Sequence, residues 1–303
     1  RAWDHVHWSV DAMILAVKRS SIDMKSSTDM VRRMIDVHKI DPNEDPKRTY
    51  GPSAYTDYEI EDDGYCYYRV HEAMSQLRQD FTPLIVAADR GLIDIVRLLR
   101  STSPTPSPAH EFDALLFAVR EGHNDVVEEL VESGVSTLYP HGDISHELGS
   151  SHAFVIAARH GNRGAMEYLL SRPGNDLNAA LYSVVVFDYL PHEPKNRTMT
   201  RPEVVRYLCS KGANPNFQPE GAASTMLTKA MNDTEIVICL IRSGANLHPS
   251  VLADAIQFGN IEVVRFIILW GVEMNHLSEF VGGHMWNNDR PIYRNWTPLM
   301  IAT

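Results

Sequence analysis

Residues 82–100, TPLIVAADRGLIDIVRLLR, decide the fold. An apolar run containing Ala87-Ala88 reads as a short helix, and small side chains there let a second helix approach closely. Gly91 follows, where a left-handed C-cap leaves no room for a Cβ. Beyond it, Ile95-Val96 and Leu98-Leu99 lie three and four apart and make one stripe of a second helix. The segment is thus two short helices reversing at a glycine. A pair of this length cannot bury its own stripe, so neighbours must cover it.

Working outward, the same phrase returns. Ala114-Leu115, Ala118, Gly122-His123, Val126-Val127, Leu130-Val131 and Ser133-Gly134 repeat it, as do Ala157-Ala158, Gly161, Ala165-Met166 and Leu169-Leu170. Three more copies close on Val204-Val205, Leu208, Lys211-Gly212-Ala213-Asn214; on Ile236-Val237, Leu240-Ile241, Ser243-Gly244-Ala245-Asn246; and on Gly259, Val263-Val264, Ile267-Ile268, Gly271-Val272. Gly91 to Gly122 is 31 residues, Gly122 to Gly161 is 39, Val204 to Ile236 is 32 and Ile236 to Val263 is 27. These values scatter around a period of about 33. Thr200-Arg201-Pro202-Glu203 is a capping box with Pro in the first turn, which starts a helix cleanly. Residues 12–43 carry a divergent copy, with Ala12 to Val17 as its first helix and Met30-Val31 and Met34-Ile35 in its second.

Thr82-Pro83-Leu84 with Ala87-Ala88 and Gly91, and Thr297-Pro298-Leu299 with Ala302, resemble the opening Thr-Pro-Leu-His helix of the ankyrin repeat family. Ile85 and Met300 stand where the family has His. Phe112-Asp113-Ala114-Leu115 and Ser224-Thr225-Met226-Leu227 lack that opening, so the hydroxyl and imidazole braces of an ideal repeat are expected to be missing from most units. The resemblance covers residues 82 to 303 and implies an all-α helical solenoid with short hairpin-like loops. The expected organisation is a divergent N-terminal repeat or cap over 1–43, an acidic tyrosine-rich insertion over 44–81, repeats over 82–276, an aromatic insertion over 277–295 and the start of a further repeat over 296–303. That amounts to about seven helix pairs and the first turn of another.

Apolar residues make up 44% of the 303 and charged residues 22%, enough to bury a core and to exclude disorder throughout. The net charge of −11 repels nucleic acid and anionic head groups, which need clustered Lys and Arg. Neither nucleic-acid binding nor a membrane span is therefore expected, and Val184 to Phe187 and Phe266 to Trp270 are too short to cross a bilayer. The three cysteines, Cys66, Cys209 and Cys239, match no disulfide framework or zinc knuckle. Cys209 and Cys239 lie in apolar helical patterns, where a reduced thiol acts as a small hydrophobe. That points to an intracellular, cytoplasmic or nuclear setting. The chain opens at Arg1 and closes in mid-pattern, which reads as a piece of something longer.

Insertions in a solenoid map onto loops and often onto the binding face. The first, about Glu44 to Asp80, sets Tyr50, Tyr55, Tyr58, Tyr65, Tyr67 and Tyr68 beside Asp57, Glu59, Glu61, Asp62 and Asp63. The second, Tyr189 to Thr200, parts the two helices of one repeat. The third, Leu277 to Asn295, carries Phe280, Trp286 and Tyr293. Ser101 to Ala109, with three prolines, reads as an extended polar connector. Aromatic side chains on polar loops supply contact area at low ordering cost, so Tyr55, Tyr58, Tyr65, Tyr67, Asp62, Trp286 and Tyr293 are candidate partner contacts. The alternative is that these aromatics fold back and cover the edge of the array.

No phosphate loop, nucleophile elbow or zinc helix is present. His5 and His7 have no further ligand at metal spacing, and Glu128-Glu129 with Glu132 reads as a solvated helix face rather than a catalytic pair. The expectation is a non-enzymatic chain with no cofactor and no metal. In ankyrin-like proteins the residues just after the alanine pair face the concave groove, which implies Asp89 and Arg90, Arg120 and Glu121, Arg159 and His160, and Gln257 and Phe258. Arg90, Glu121, His160 and Phe258 are the groove contacts proposed from that row, while Arg120 and Arg159 equally suit salt links between repeats. The function expected is a scaffold or adaptor that binds a protein partner with a basic surface. The rival is a regulatory arm of a larger enzyme or channel.

Overall fold

The computed structural model describes residues 10–19, 24–43, 82–138, 152–186, 197–219, 222, 224–248 and 250–271. Among them are fourteen helices in seven pairs. The first pair is α1 (Val10–Arg19) and α2 (Met24–Asp36), the second α3 (Pro83–Asp89) and α4 (Ile93–Arg100), and the third α5 (Pro108–Glu121) and α6 (Asn124–Glu132). Then come α7 (Ala153–Arg159) with α8 (Arg163–Leu170), α9 (Leu177–Val186) with α10 (Arg201–Ser210), α11 (Met226–Lys229) with α12 (Thr234–Arg242), and α13 (Ser250–Gln257) with α14 (Ile261–Trp270). The described residues form no strand ladder, only an isolated bridge between Leu138 and His152. None of the described helices is long and apolar enough to cross a membrane.

First helices stack on first helices and second on second: α3 on α5, α5 on α7, α7 on α9, and α4 on α6, α6 on α8. α1 and α2 join the same two rows by packing on α3 and α4. The stripe read from the sequence is the seam. Val96, Val127, Met166, Val205 and Val237, one from each second helix of the second to sixth pairs, are all 0% exposed, and the core runs unbroken from Val10 to Ile267. This is an all-α solenoid.

Helix starts depart from expectation in two places. α5 begins at Pro108, because Ser107 caps it by accepting from the His110 N–H and Pro108 fills the first turn. The connector therefore ends at Ser107, two residues short of Ala109. In the sixth pair, Thr225 accepts from the Thr228 N–H at 3.2 Å, so the hydroxyl brace survives there without the Thr-Pro-Leu signature. Thr82 caps α3 in the same way. At α10 the Thr200 N–H donates to Glu203 at 2.7 Å, the reach-back half of the capping box.

After three of the turn glycines, Gly122, Gly161 and Gly259, the next residue joins neighbouring repeats. Asn162 accepts from the Ala165 N–H to cap α8 while its amide donates to the Val119 carbonyl of the preceding repeat. Asn260 does the same with Val263 and Met231, and His123 bonds the Asp89 carbonyl at 2.9 Å. The loops after the second helices are tied by Asn178 accepting from the Asn214 N–H and Asn216 from the Asn246 N–H. Along the second-helix face Arg97 pairs with Glu129, and Glu132 accepts from Tyr168 and Arg172. Glu129 and Glu132, on the solvated helix face, are also cross-repeat acceptors.

The left-handed glycines differ in what surrounds them, and this separates two costs. Gly161 has φ +64°, and a Cβ there would sit 2.2 Å from the Met199 carbonyl oxygen. Gly244 has φ +94° and nothing within 4 Å. Gly244→Ala should therefore lose about 1 kcal/mol from backbone strain alone. Gly161→Ala should lose about 2 kcal/mol, because the 197–200 segment must also move. Urea unfolding of both variants checks the order. Equal losses would mean that this segment does not lie against the Gly161 turn.

Candidate protein-binding face

The row just after the alanine pairs lies at the last residues of each first helix and the turn that ends it. Its members behave differently. Arg120 donates from Nη2 to Asp89 Oδ1 and from Nε to Glu121 Oε1, both at 2.7 Å, and its guanidinium lies 4.3 Å from the centre of the Phe117 ring. Burial raises the Asp89 carboxyl pKa despite the attraction of Arg120. Arg120 therefore makes the inter-repeat salt link, and Glu121 is engaged in the same network.

His160 is 7% exposed, and its Nδ1 meets no hydrogen-bond partner among the described residues. Burial, then the cations of Arg159, Arg120 and Arg197, push its pKa down to about 3. The expectation that His160 offers itself to a partner is corrected: the Arg197–Thr200 segment lies against the adjacent turn and the imidazole belongs to the core. Thr198 and Met199 both donate their N–H to the Gly161 carbonyl, and Thr198 Oγ1 accepts from the Arg163 N–H. The signal available in the sequence was Thr200-Arg201-Pro202-Glu203, which fixes where this segment must return.

Arg90 and Phe258 are the exposed members, Phe258 at 41%. Gln257 is half-buried, and the equivalent turn in the sixth repeat presents buried Ala230 and Met231. Open side chains of opposite character thus stand at the second and seventh repeats, and the described members of the row between them are tied or buried. Tyr55, Tyr58, Asp62, Tyr65, Tyr67, Trp286 and Tyr293 lie outside the described residues.

No family model matches the chain. Over 209 residues it is 26% identical to the Caenorhabditis elegans protein "Ankyrin repeat and KH domain-containing protein mask-1", a match that takes in 63% of this chain. The chain spans about 7% of that relative's length. The ankyrin repeat domain of Bcl-3, a member of the IkappaB protein family, has the same fold at a TM-score of 0.51 and 24% identity, covering 74% of this chain and 94% of that one. The chain has the fold of an ankyrin-repeat array. Within it the groove-side row is the one just described, and the second-helix row carries the Arg97–Glu129 and Arg172–Glu132 pairs. Cys239 is buried and Cys209 half-buried, and burial raises both thiol pKa values, so each fills space in the solenoid core.

Proposed function

We propose that this array is a non-catalytic recognition module that holds a protein partner along the groove-side row, with the 44–81 insertion as a second contact. The observation that carries the reading is the contrast within the row. Arg90 and Phe258 are exposed, while Arg120 and Asp89 are spent on the fold. An exposed aromatic and an exposed guanidinium are residue types that dominate interface energetics. The net charge of −11 favours a partner with a basic surface, through steering more than through contact energy. The buried thiols support a reducing, intracellular setting.

The test uses the whole chain as bait, with proteins recovered from a native extract quantified against Arg90→Glu and Phe258→Ala. Each variant should lower recovery of the same protein at least tenfold, an effect of interface hot-spot size. Thermal unfolding should stay within about 0.5 kcal/mol of the parent, as for surface changes elsewhere. Equal recovery of every protein by both variants would move the binding site off this row.

A further inference from the structure

We propose that Asp254 is a proton-operated catch between the sixth and seventh repeats, seating α13 against α11 when its carboxyl is protonated and loosening it when ionised. The motive is a comparison of the repeats with one another. Six residues before the N-cap of the second helix stand Val86, Phe117, Ile156 and Leu227, in the second, third, fourth and sixth repeats. All four are apolar and buried. In the seventh repeat the same core position holds Asp254, only 5% exposed. An acid thus stands where its counterparts pack hydrocarbon.

The acid is tied across the repeat boundary. Thr228 of α11 donates to Asp254 Oδ2 at 3.1 Å, and its hydroxyl lies 3.1 Å from that of Thr225, the cap of α11. Once protonated, the carboxyl can donate to Thr228 and Thr228 to Thr225, so the link survives in either state. What changes is the charge, and one hydrogen bond does not offset the burial of a carboxylate. Among the described residues, the elements packed on α13 bring Thr228 and Lys229 from α11, and Glu262 and Arg265, both exposed, from α14. The loop before α13 brings His248. Burial raises the Asp254 pKa from 3.8 to about 6, outweighing Thr228 and His248, which favour the ionised form. The penalty is therefore absent below pH 3.8 and complete above pH 6, so seating strengthens as pH falls. Phe258 lies one turn beyond Asp254. Proton control of partner binding rests on the groove-side reading, but the catch itself does not and is tested without a partner.

The experiment follows hydrogen exchange of the full chain at pH 7 and pH 5, corrected for the intrinsic pH dependence of amide exchange. Protection of α13 and α14 is expected to rise about tenfold on acidification, the gain that a shift from 3.8 to about 6 gives over this range. Asp254→Asn cannot ionise and should show no such rise. Asp254→Leu, which installs the residue type of Leu227, should be equally flat. The same rise in the parent and both variants, or no rise in the parent, overturns the proposal. A rise of equal size in α3 to α8 overturns it too, because a catch between two repeats acts locally.

Discussion

Leu130→Ala is expected to lose about 2–5 kcal/mol of stability, the range for truncating a buried leucine in a close-packed core. Leu130 is 0% exposed in α6, between α4 and α8. The shortened side chain leaves a void on both sides of one repeat, so both of its interfaces weaken. Stability in a stacked array is a sum of repeat and nearest-neighbour terms, and the damage should spread to the second and fourth repeats. Urea unfolding followed by circular dichroism gives the total, and hydrogen exchange shows the spread. Glu128→Ala, two residues earlier on the exposed side of the same helix, is the control and should stay within about 0.5 kcal/mol. A Leu130→Ala midpoint equal to the parent's would show that α6 does not sit in the seam.

The second large effect is acid lability from His160. Its folded pKa, about 3, lies below the unfolded value of 6.5, so the native state holds the ring neutral. The contribution is fully present above pH 6.5 and is lost as pH falls from 6.5 towards 3, because the unfolded chain takes up a proton that the native state refuses. At 1.36 kcal/mol per pKa unit the whole span amounts to about 5 kcal/mol, of which about 2 kcal/mol falls between pH 6.5 and 5. Asp254 works in the opposite sense. Burial raises its carboxyl to about 6 even though Thr228 donates a 3.1 Å hydrogen bond to it, so its penalty is relieved on acidification. The observable is therefore the difference between the parent and His160→Leu, which removes the proton site and keeps the bulk. Parallel stability curves from pH 7 to 5 would rule out a buried neutral imidazole.

Much of the fold was legible because its determinants are local. The turn glycines, the β-branched pairs and the Leu columns each act within one repeat, and a period of about 33 turns each local reading into a position in the stack. The capping box at Thr200 was likewise plain. Legibility failed where the deciding partner was distant in sequence. Asn162 caps α8, as its type suggests, but its bond to Val119 crosses 43 residues. Ser107-Pro108 carried a helix start that the surrounding prolines disguised. His160 shared the register of an exposed row, yet the segment 197–200, nearly 40 residues on in sequence, lies beside the adjacent turn at Gly161.

One further consequence lies in α11, whose four residues make it the shortest of the described helices. Pulled from its two ends, a solenoid carries the same tension through every repeat in turn, and it parts where the least structure resists. That place is the sixth repeat, where one turn of helix stands in for the 7 to 14 residues of its counterparts α3 and α5. The molecule under load should therefore open there first, separating a block of five repeats from the last one and leaving each block folded about its own seam.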